Sequence, residues 1–226
     1  MRTLLCGLWL AWSITSSAQL NSKVGYTLGV YGNPAYAELI ERYNAERPWL
    51  EPLPDRDLVS GITIGLRYRH EAVGFELSWR NQFTNNRSTG TDPATGSAFE
   101  RRLATRLNSF SFGSEIYAGP IALGASIDRS SFGVRTEVTG TDGPFDVVDG
   151  EHAWGHTLYL SLEPQVGDGR LSLAIRPYWQ AFWDDFGFGG LGDELEPDRA
   201  ATAPAGTYRE SFGHWGVMLI FYNGEK

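Results

Sequence analysis

The sequence predicts an all-β fold, an eight-stranded antiparallel transmembrane β-barrel with a short helix in the first long loop. Three observations predict it: eight segments alternate apolar and polar side chains, long and short connections follow one another strictly, and the polar faces carry charges of both signs. The composition agrees, because 42% hydrophobic and 13% aromatic residues with 27 glycines favour strands and turns over disorder.

The first eighteen residues predict a signal peptide. Residues 1–3 carry a positive charge, residues 4–12 are apolar, and residues 16–18 are small, which is the pattern of a Sec signal cleaved before Gln19. The alternative is a short N-terminal core strand. We therefore predict a signal peptide at 1–18 and the barrel at 19–226. Cys6 would leave with the signal, which excludes disulfides and thiol chemistry from the mature chain.

Two-residue periodicity predicts the eight strands in order. They are expected at 24–31, 59–70, 73–83, 103–117, 121–134, 152–162, 171–182 and 208–223. If the second and third join through a two-residue turn at 71–72, Leu66 lies opposite Leu77 and Arg67 lies opposite Glu76. This register predicts an ion pair between Arg67 and Glu76.

The connections predict the orientation of the barrel. The long ones are expected at 32–58, 84–100, 138–151 and 183–207, and the short ones at 71–72, 119–120 and 163–169. Outer-membrane barrels have short periplasmic turns and long external loops, so we expect the long loops outside.

One segment of the first long loop predicts a helix. Asn33 and Pro34 form a helix start, and apolar side chains follow at helical spacing, so we expect a helix over 34–46. It could cap the barrel mouth or lie at the lipid surface.

The polar faces of the strands predict a filled, charged lumen. The expected lumenal charge network is Arg67, Arg69, Glu76, Arg80, Glu115, Asp128, Glu163 and Arg176. The apolar faces would then meet lipid, whereas a soluble lipocalin-like barrel would turn them inward.

Aromatic side chains near the segment ends predict interfacial girdles. The expected members are Tyr68, Trp79, Phe83, Tyr117, Phe132, Trp154, Trp179, Trp183 and Trp215. The alternative is that they are ordinary sheet aromatics, because strands favour these residues.

Motifs that could carry chemistry are weak. Residues 187–192 match G-x-G-x-x-G, but acidic residues and Pro197 follow, so we expect an external loop and no nucleotide site. On a strand, His152 and His156 stand about 13 Å apart, too far to bind one metal ion.

An enzyme acting on lipid A would need a nucleophile and a base. The candidates are Ser130, Ser131, Ser211, His156 and His214, and no triad spacing selects among them. We therefore predict no catalytic residue, no metal and no cofactor. The net charge of −8 argues against nucleic acid as a partner. Acidic residues of the long loops, such as Asp184 and Asp185, are interpreted as solvated charge, with a surface Ca²⁺ site as the alternative.

The chain resembles the small eight-stranded outer-membrane barrels of the OmpX and OmpA type. Residues 37–50, AELIERYNAERPWL, resemble the outer-membrane β-barrel family common in the Bacteroidota. Many outer-membrane proteins end on an aromatic residue, whereas four residues follow Tyr222 here. The resemblance implies an outer-membrane location and the lipid bilayer as partner, and it supplies no catalytic residues to carry over. Together with the predicted signal peptide, it leads us to expect an outer-membrane location after Sec export.

The expected function is that of a non-conducting outer-membrane barrel with a structural, anchoring or interaction role through its external loops, where a protein or surface ligand could bind. The alternatives are a barrel enzyme that modifies lipid A and a soluble secreted lipocalin-like binder.

Overall fold

The computed structural model describes residues 18–32, 34–55, 58–139, 146–164, 171–195, 209–210 and 213–223. Its elements in chain order are β1 (Ala18–Gly32), α1 (Pro34–Glu46), β2 (Leu58–His70), β3 (Val73–Thr91), β4 (Ala98–Ala118), β5 (Ile121–Val138), β6 (Asp146–Leu162), β7 (Leu171–Phe182), β8 (Phe186–Gly187), α2 (Gly189–Leu195), β9 (Arg209–Glu210) and β10 (Gly213–Asn223). The predicted signal peptide lies almost wholly outside the described residues and stays a prediction.

Eight of the strands form a closed antiparallel barrel, which confirms the predicted fold class. The order around it is β1-β10-β7-β6-β5-β4-β3-β2, so every strand has two hydrogen-bonded neighbours. The turn at 71–72 places Leu66 opposite Leu77 and Arg67 opposite Glu76, as predicted. Glu71 adopts a left-handed conformation with φ of 49°, which lets two residues reverse the chain.

Several strands are longer than the alternation predicted. β3 and β4 remain paired to Thr91 and Ala98, so the expected loop at 84–100 is wrong and shrinks to residues 92–97. Residues 146–151 of the expected loop at 138–151 likewise belong to β6 and lie along residues 132–136 of β5, while residues 140–145 lie outside the described residues. β1 begins at Ala18, six residues before its predicted start, and pairs there with His70. Polar residues on both faces of the β3 extension hide the alternation there, while backbone hydrogen bonds still favour pairing.

The barrel is apolar outside and polar inside. Leu66, Leu77 and Leu123 are 48%, 50% and 66% exposed on the outer surface, within a belt of exposed apolar side chains from all eight barrel strands. Charged and polar side chains fill the buried positions between them. The soluble lipocalin-like alternative is therefore wrong, because it requires the apolar face to point inward.

Two short helices close one end of the lumen. The predicted helix over 34–46 is confirmed as α1, and its Leu39, Ile40 and Tyr43 are fully buried. They pack against Leu191 and Leu195 of α2. The partners from the barrel wall all point inward, and they are Val59, Leu103, Leu107, Phe132, Val134, Ala153 and Phe182.

We call this cluster the apolar plug, formed by the buried residues of α1 and of 186–195. Of the two expected positions for this helix, the structure shows the first. α1 caps the barrel mouth and does not lie at the lipid surface. No helix in the described part of the chain is long and apolar enough to span a bilayer.

Candidate functional site

The lumen opposite the plug contains a cluster of buried charges. Arg176 donates to both carboxylate oxygens of Glu76 at 3.0 Å and to Glu115 at 2.6 Å. Lys23 forms an ion pair with Glu76. The Tyr222 hydroxyl accepts from Arg176 at 2.5 Å and donates to Glu76 at 3.2 Å. These five residues, which we call the charged cluster, hold two cations and two anions and are therefore balanced.

Beside the charged cluster lies a second ion pair near the short turns. Arg67 binds Glu163 and donates to the Tyr117 hydroxyl at 3.2 Å. Its guanidinium also lies 3.4 Å from the centre of the Tyr222 ring. Arg69 is only partly buried, 3.7 Å from both Glu163 and the Tyr117 ring centre. The predicted ion pair between Arg67 and Glu76 is wrong although the two residues are cross-strand neighbours.

The physical reason is the width of an eight-stranded barrel. Long inward side chains from adjacent strands point together toward the axis, where each can reach groups beyond the neighbouring strand. Arg67 on β2 therefore meets Glu163 just after β6, and Glu76 on β3 meets Arg176 on β7, in both cases four strands away around the barrel. Lys23 on β1, which also binds Glu76, is two strands from β3. The ion-pair partners of these residues therefore lie across the lumen and not on the neighbouring strand of the hairpin.

A third layer contains Asp128 at the middle of the lumen. Its carboxylate accepts from Ser126 at 2.8 Å, from Thr157 at 2.5 Å and from the Gln180 amide at 3.0 Å. Arg80 donates to the Gln180 oxygen at 2.7 Å, so the amide links the cation to the anion. The negative charge of Asp128 is thus stabilised by three neutral hydrogen-bond donors and, through the Gln180 amide, by Arg80.

A neutral polar layer separates the charges from the plug. The Tyr178 hydroxyl lies 3.1 Å from His214 Nε2, 3.0 Å from Gln82 and 3.2 Å from Thr27. The next inward side chain of β1 is Tyr31, whose ring packs on Phe132 at 5.9 Å between centroids. Polarity therefore falls in steps along the barrel axis, from ion pairs through neutral hydrogen bonds to apolar contacts.

Little space remains inside the lower barrel. The cavity beside Lys23, Glu76 and Arg176 has a volume of about 20 Å³, close to that of one water molecule. Small wall residues make room for the large side chains. A Cβ on Gly124 would lie 2.2 Å from the Tyr159 ring, so any larger residue would displace that tyrosine.

The structure places the predicted network residues as follows. Seven are buried in the lumen, and they are Arg67, Glu76, Arg80, Glu115, Asp128, Glu163 and Arg176. Arg69 lies at its rim. Sequence reasoning missed Lys23, because the predicted first strand began at 24. It also missed the inward tyrosines at 159, 178 and 222. Two signals could have found them. An earlier start for β1 would have included Lys23, and the two-residue period of the strands would have placed the three tyrosines on the inward face.

The predicted girdle aromatics divide between two faces. Phe83, Trp154, Trp179, Trp183 and Trp215 are exposed on the outer surface, while Tyr68 and Trp79 lie there partly covered. Tyr117 and Phe132 instead point into the barrel, so their assignment to a girdle is wrong. Both stand at positions of inward parity, which the position near a strand end does not reveal.

The glycine motif at 187–192 is not a simple loop, and that expectation is wrong. Residues 189–195 form α2, and the Asp149 carboxylate accepts from the backbone N–H groups of Gly190 and Leu191 at 3.1 and 2.7 Å. Burial raises the pKa of Asp149 against the effect of these two hydrogen bonds. An anion position is therefore already filled by a side chain of the protein.

The candidate nucleophiles and bases do not come together. His214 contacts Tyr178, Gln82 and Gln180 in the lumen, and Ser130 bonds Ser109 at 2.8 Å. On the outer face, His156 accepts a hydrogen bond from Trp183. Ser131 is a half-covered residue of that same face, and Ser211 lies outside the described residues. Among described residues, no three metal-ligating side chains converge.

Comparisons with known proteins find similarity in structure alone. No family model and no curated protein matches the chain, so the Bacteroidota resemblance gains no support. The chain is similar to Ail of Yersinia pestis, solved with the heparin analogue sucrose octasulfate, at 10% identity and a TM-score of 0.45, covering 92% of this chain and 99% of that one.

Two further solved structures are more distant. Neisserial surface protein A matches at 9% identity and a TM-score of 0.41, over 91% of this chain and 98% of that chain. The outer membrane protease OmpT from Escherichia coli matches at 7% identity and a TM-score of 0.33, over 92% and 95%. Identities and scores this low do not indicate a shared activity.

Proposed function

We propose that the protein is an outer-membrane barrel that does not conduct solutes and that anchors a rigid external surface for interaction. The observation that carries this proposal is the double filling of the lumen. Ion pairs and hydrogen bonds occupy one half, and the apolar plug occupies the other. A solute would have to displace both.

The apolar belt supports insertion in a bilayer. Leu66 and Leu77 face each other on the outside of the first hairpin, about halfway along its paired region, and nothing in the described chain covers them. Lipid chains can solvate such an apolar belt. A closed barrel also meets the second requirement of a bilayer, because it leaves no backbone groups unpaired. Outer-membrane location and Sec export remain part of the proposal.

The plug end supports an interaction role. The β3–β4 hairpin extends past the belt, and its outer face carries an ion-pair ladder in which Glu100 binds Arg87 and Arg102, both at 2.7 Å. Arg102 also lies 3.6 Å from Glu137 on β5. The exposed end is thus a fixed, charged surface on a rigid scaffold, suited to contact a protein or surface ligand. Membership of the Bacteroidota-type family stays a prediction from residues 37–50.

Conductance across planar lipid bilayers tests the proposal. We expect the folded protein to insert and to give no stepwise ion current, while a large general porin in the same bilayer conducts. A stable current from the wild-type barrel would contradict it. Expression in a cell with an outer membrane should also leave the mass of lipid A unchanged, and a mass shift would favour the enzyme alternative.

A further inference from the structure

Three arginines lie on the outer face just beyond the apolar belt. The outward residues of β5 run from Leu123 through Ile127 to Arg129, which follows two residues later, about 7 Å further along the strand. Arg106 on β4 and Arg135 on β5 are also exposed on this face. These residues, which we call the arginine groove, are Arg106 and Arg135 inside a surface groove and Arg129 beside it, and they lie where a lipid headgroup would begin.

A groove of about 640 Å³ runs along this face between β3 and β6. Its floor is low because Ala104 and Gly133 carry little or no side chain. Arg106 and Arg135 line it together with polar residues such as Asn85 and Ser131. No carboxylate is among its described lining residues, so its positive charge is not neutralised from within.

The bonding of the arginines differs from that of their neighbours. With the Asn81 amide turned to accept, its oxygen binds Arg106 at 2.9 and 3.0 Å, which fixes the guanidinium but leaves its charge unbalanced. Arg129 lies 5.5 Å from the Trp154 ring centre. By contrast, Arg87 and Arg102 on the extended hairpin are paired with carboxylates.

The arginines occupy one sector of the barrel. In the described chain, the outward positions of β1, β2, β7 and β10 carry no lysine or arginine. At the plug end of those strands, the outer face has Leu58, Trp183 and Trp215 instead. A general attraction to an anionic surface would need no such asymmetry, whereas a bound lipid occupies one side.

We propose that the arginine groove binds the phosphate groups of an anionic lipid from the leaflet around the plug end. A guanidinium group can donate two parallel hydrogen bonds to two oxygens of one phosphate. This interaction is stronger at the edge of a low-dielectric layer than in bulk water. The acyl chains would lie on Phe110, Phe112 and Ile127 below the groove. This inference rests on membrane insertion but not on the absence of conductance.

Lipid A with both phosphates is the probe, titrated against the folded full-length mature barrel in neutral detergent micelles and followed by native mass spectrometry. Each arginine near a membrane surface contributes about fivefold to anionic lipid binding, so the triple variant Arg106→Gln, Arg129→Gln, Arg135→Gln should bind about 100-fold more weakly. The single variant Arg135→Gln, at a residue that lines the groove, should lose about fivefold, which keeps the test decisive if the triple variant misfolds.

The matched control is the double variant Arg87→Gln, Arg102→Gln, which removes exposed arginines from the same sheet but outside the groove. Its affinity should stay within about twofold of wild type, since carboxylates already neutralise these charges. Heat-modifiable gel mobility verifies folding for every variant.

Three results would overturn the inference. Equal losses in the triple variant and the control would indicate a nonspecific charge effect. Equal affinity for lipid A stripped of its phosphates would show that phosphate is not recognised, and competition by free inorganic phosphate at concentrations near those of the lipid would show that the lipid is not the ligand. A conducting barrel with an intact lipid site would contradict the proposed function alone.

Discussion

The two halves of the lumen are filled by opposite means. In the half opposite the plug, Arg176, Glu76 and Glu115 are buried as ions that pair with one another. In the half at the plug end, Leu39 and Ile40 are buried among apolar side chains. The charged half is built from side chains of the barrel strands and of Glu163, which directly follows β6. The apolar half also needs helices that are inserted from the loops. The difference shows that a barrel can close itself only where its own inward side chains reach across.

The two fillings differ in how they respond to damage. Removing one ion leaves a partner charged and buried, which is costly because little water can enter. Removing an apolar group leaves a cavity whose cost depends on how well the neighbours collapse. Ion pairs also fix particular partners, whereas apolar contacts tolerate exchange of similar shapes. We therefore expect the charged cluster to be the more sensitive half.

The largest effect is expected from Arg176→Met. This change leaves Lys23 with two carboxylates, Glu76 and Glu115, and should lower the free energy of unfolding by about 3–5 kcal/mol. Urea unfolding in detergent, followed by tryptophan fluorescence, measures it. Adding Glu115→Gln restores the balance of charge, so the double variant should lose less than the sum of the single losses. Full additivity would contradict the cluster described above.

A smaller effect is expected from Leu39→Ala in the plug. The side chain is fully buried, and its truncation should cost about 3 kcal/mol. Because the barrel wall can persist without the plug, the loss should appear first as faster hydrogen exchange in α1. Leu77→Ala is the matched control, since lipid chains can fill the space it leaves outside the barrel. Equal protection of α1 in wild type and Leu39→Ala would show that this residue does not anchor the plug.

The choice of ion partners can be sharpened with two mutant cycles. Arg67→Leu with Glu163→Gln should show a coupling energy of about 1–3 kcal/mol, because the pair is in contact and buried. Arg67→Leu with Glu76→Gln should show less, although these two residues are cross-strand neighbours. The same urea titrations serve both cycles. A larger coupling for the second would favour hairpin pairing over pairing across the lumen.

The smallest effect concerns Asp92 at the tip of the β3–β4 hairpin. The Ala94 N–H at 2.8 Å and the Thr95 hydroxyl at 2.9 Å donate to its carboxylate and lower its pKa below the ordinary value of 3.8. Since the pKa is depressed in the folded state, this contribution is present above pH 3.8 and is lost as the pH falls through the depressed value. Carbon-13 NMR titration measures it. Asp92 with an ordinary pKa would mean that the turn is open.

The strands and their pairing were predictable because they depend on short-range rules. A period of two assigns each side chain to a face, and a two-residue turn fixes the register, so the facing of Leu66 and Leu77 follows from their spacing. The helix over 34–46 was equally readable from its N-terminal residues and apolar spacing. The ends of β3 and β4 were not, because polar residues on both faces of a hairpin that extends past the apolar belt resemble a loop.

By itself, the sequence determined for most strand residues which point into the barrel and which point out, with Tyr117 and Phe132 as exceptions. It could not determine that Arg67 binds Glu163, that Lys23 completes the charged cluster, or that α1 fills the mouth in place of lying on lipid. Those outcomes depend on distances across a closed barrel, where residues far apart in the chain meet at the axis. Face and register are local properties of a strand, whereas the partner of a buried charge is set by which opposite group the closed wall brings within reach.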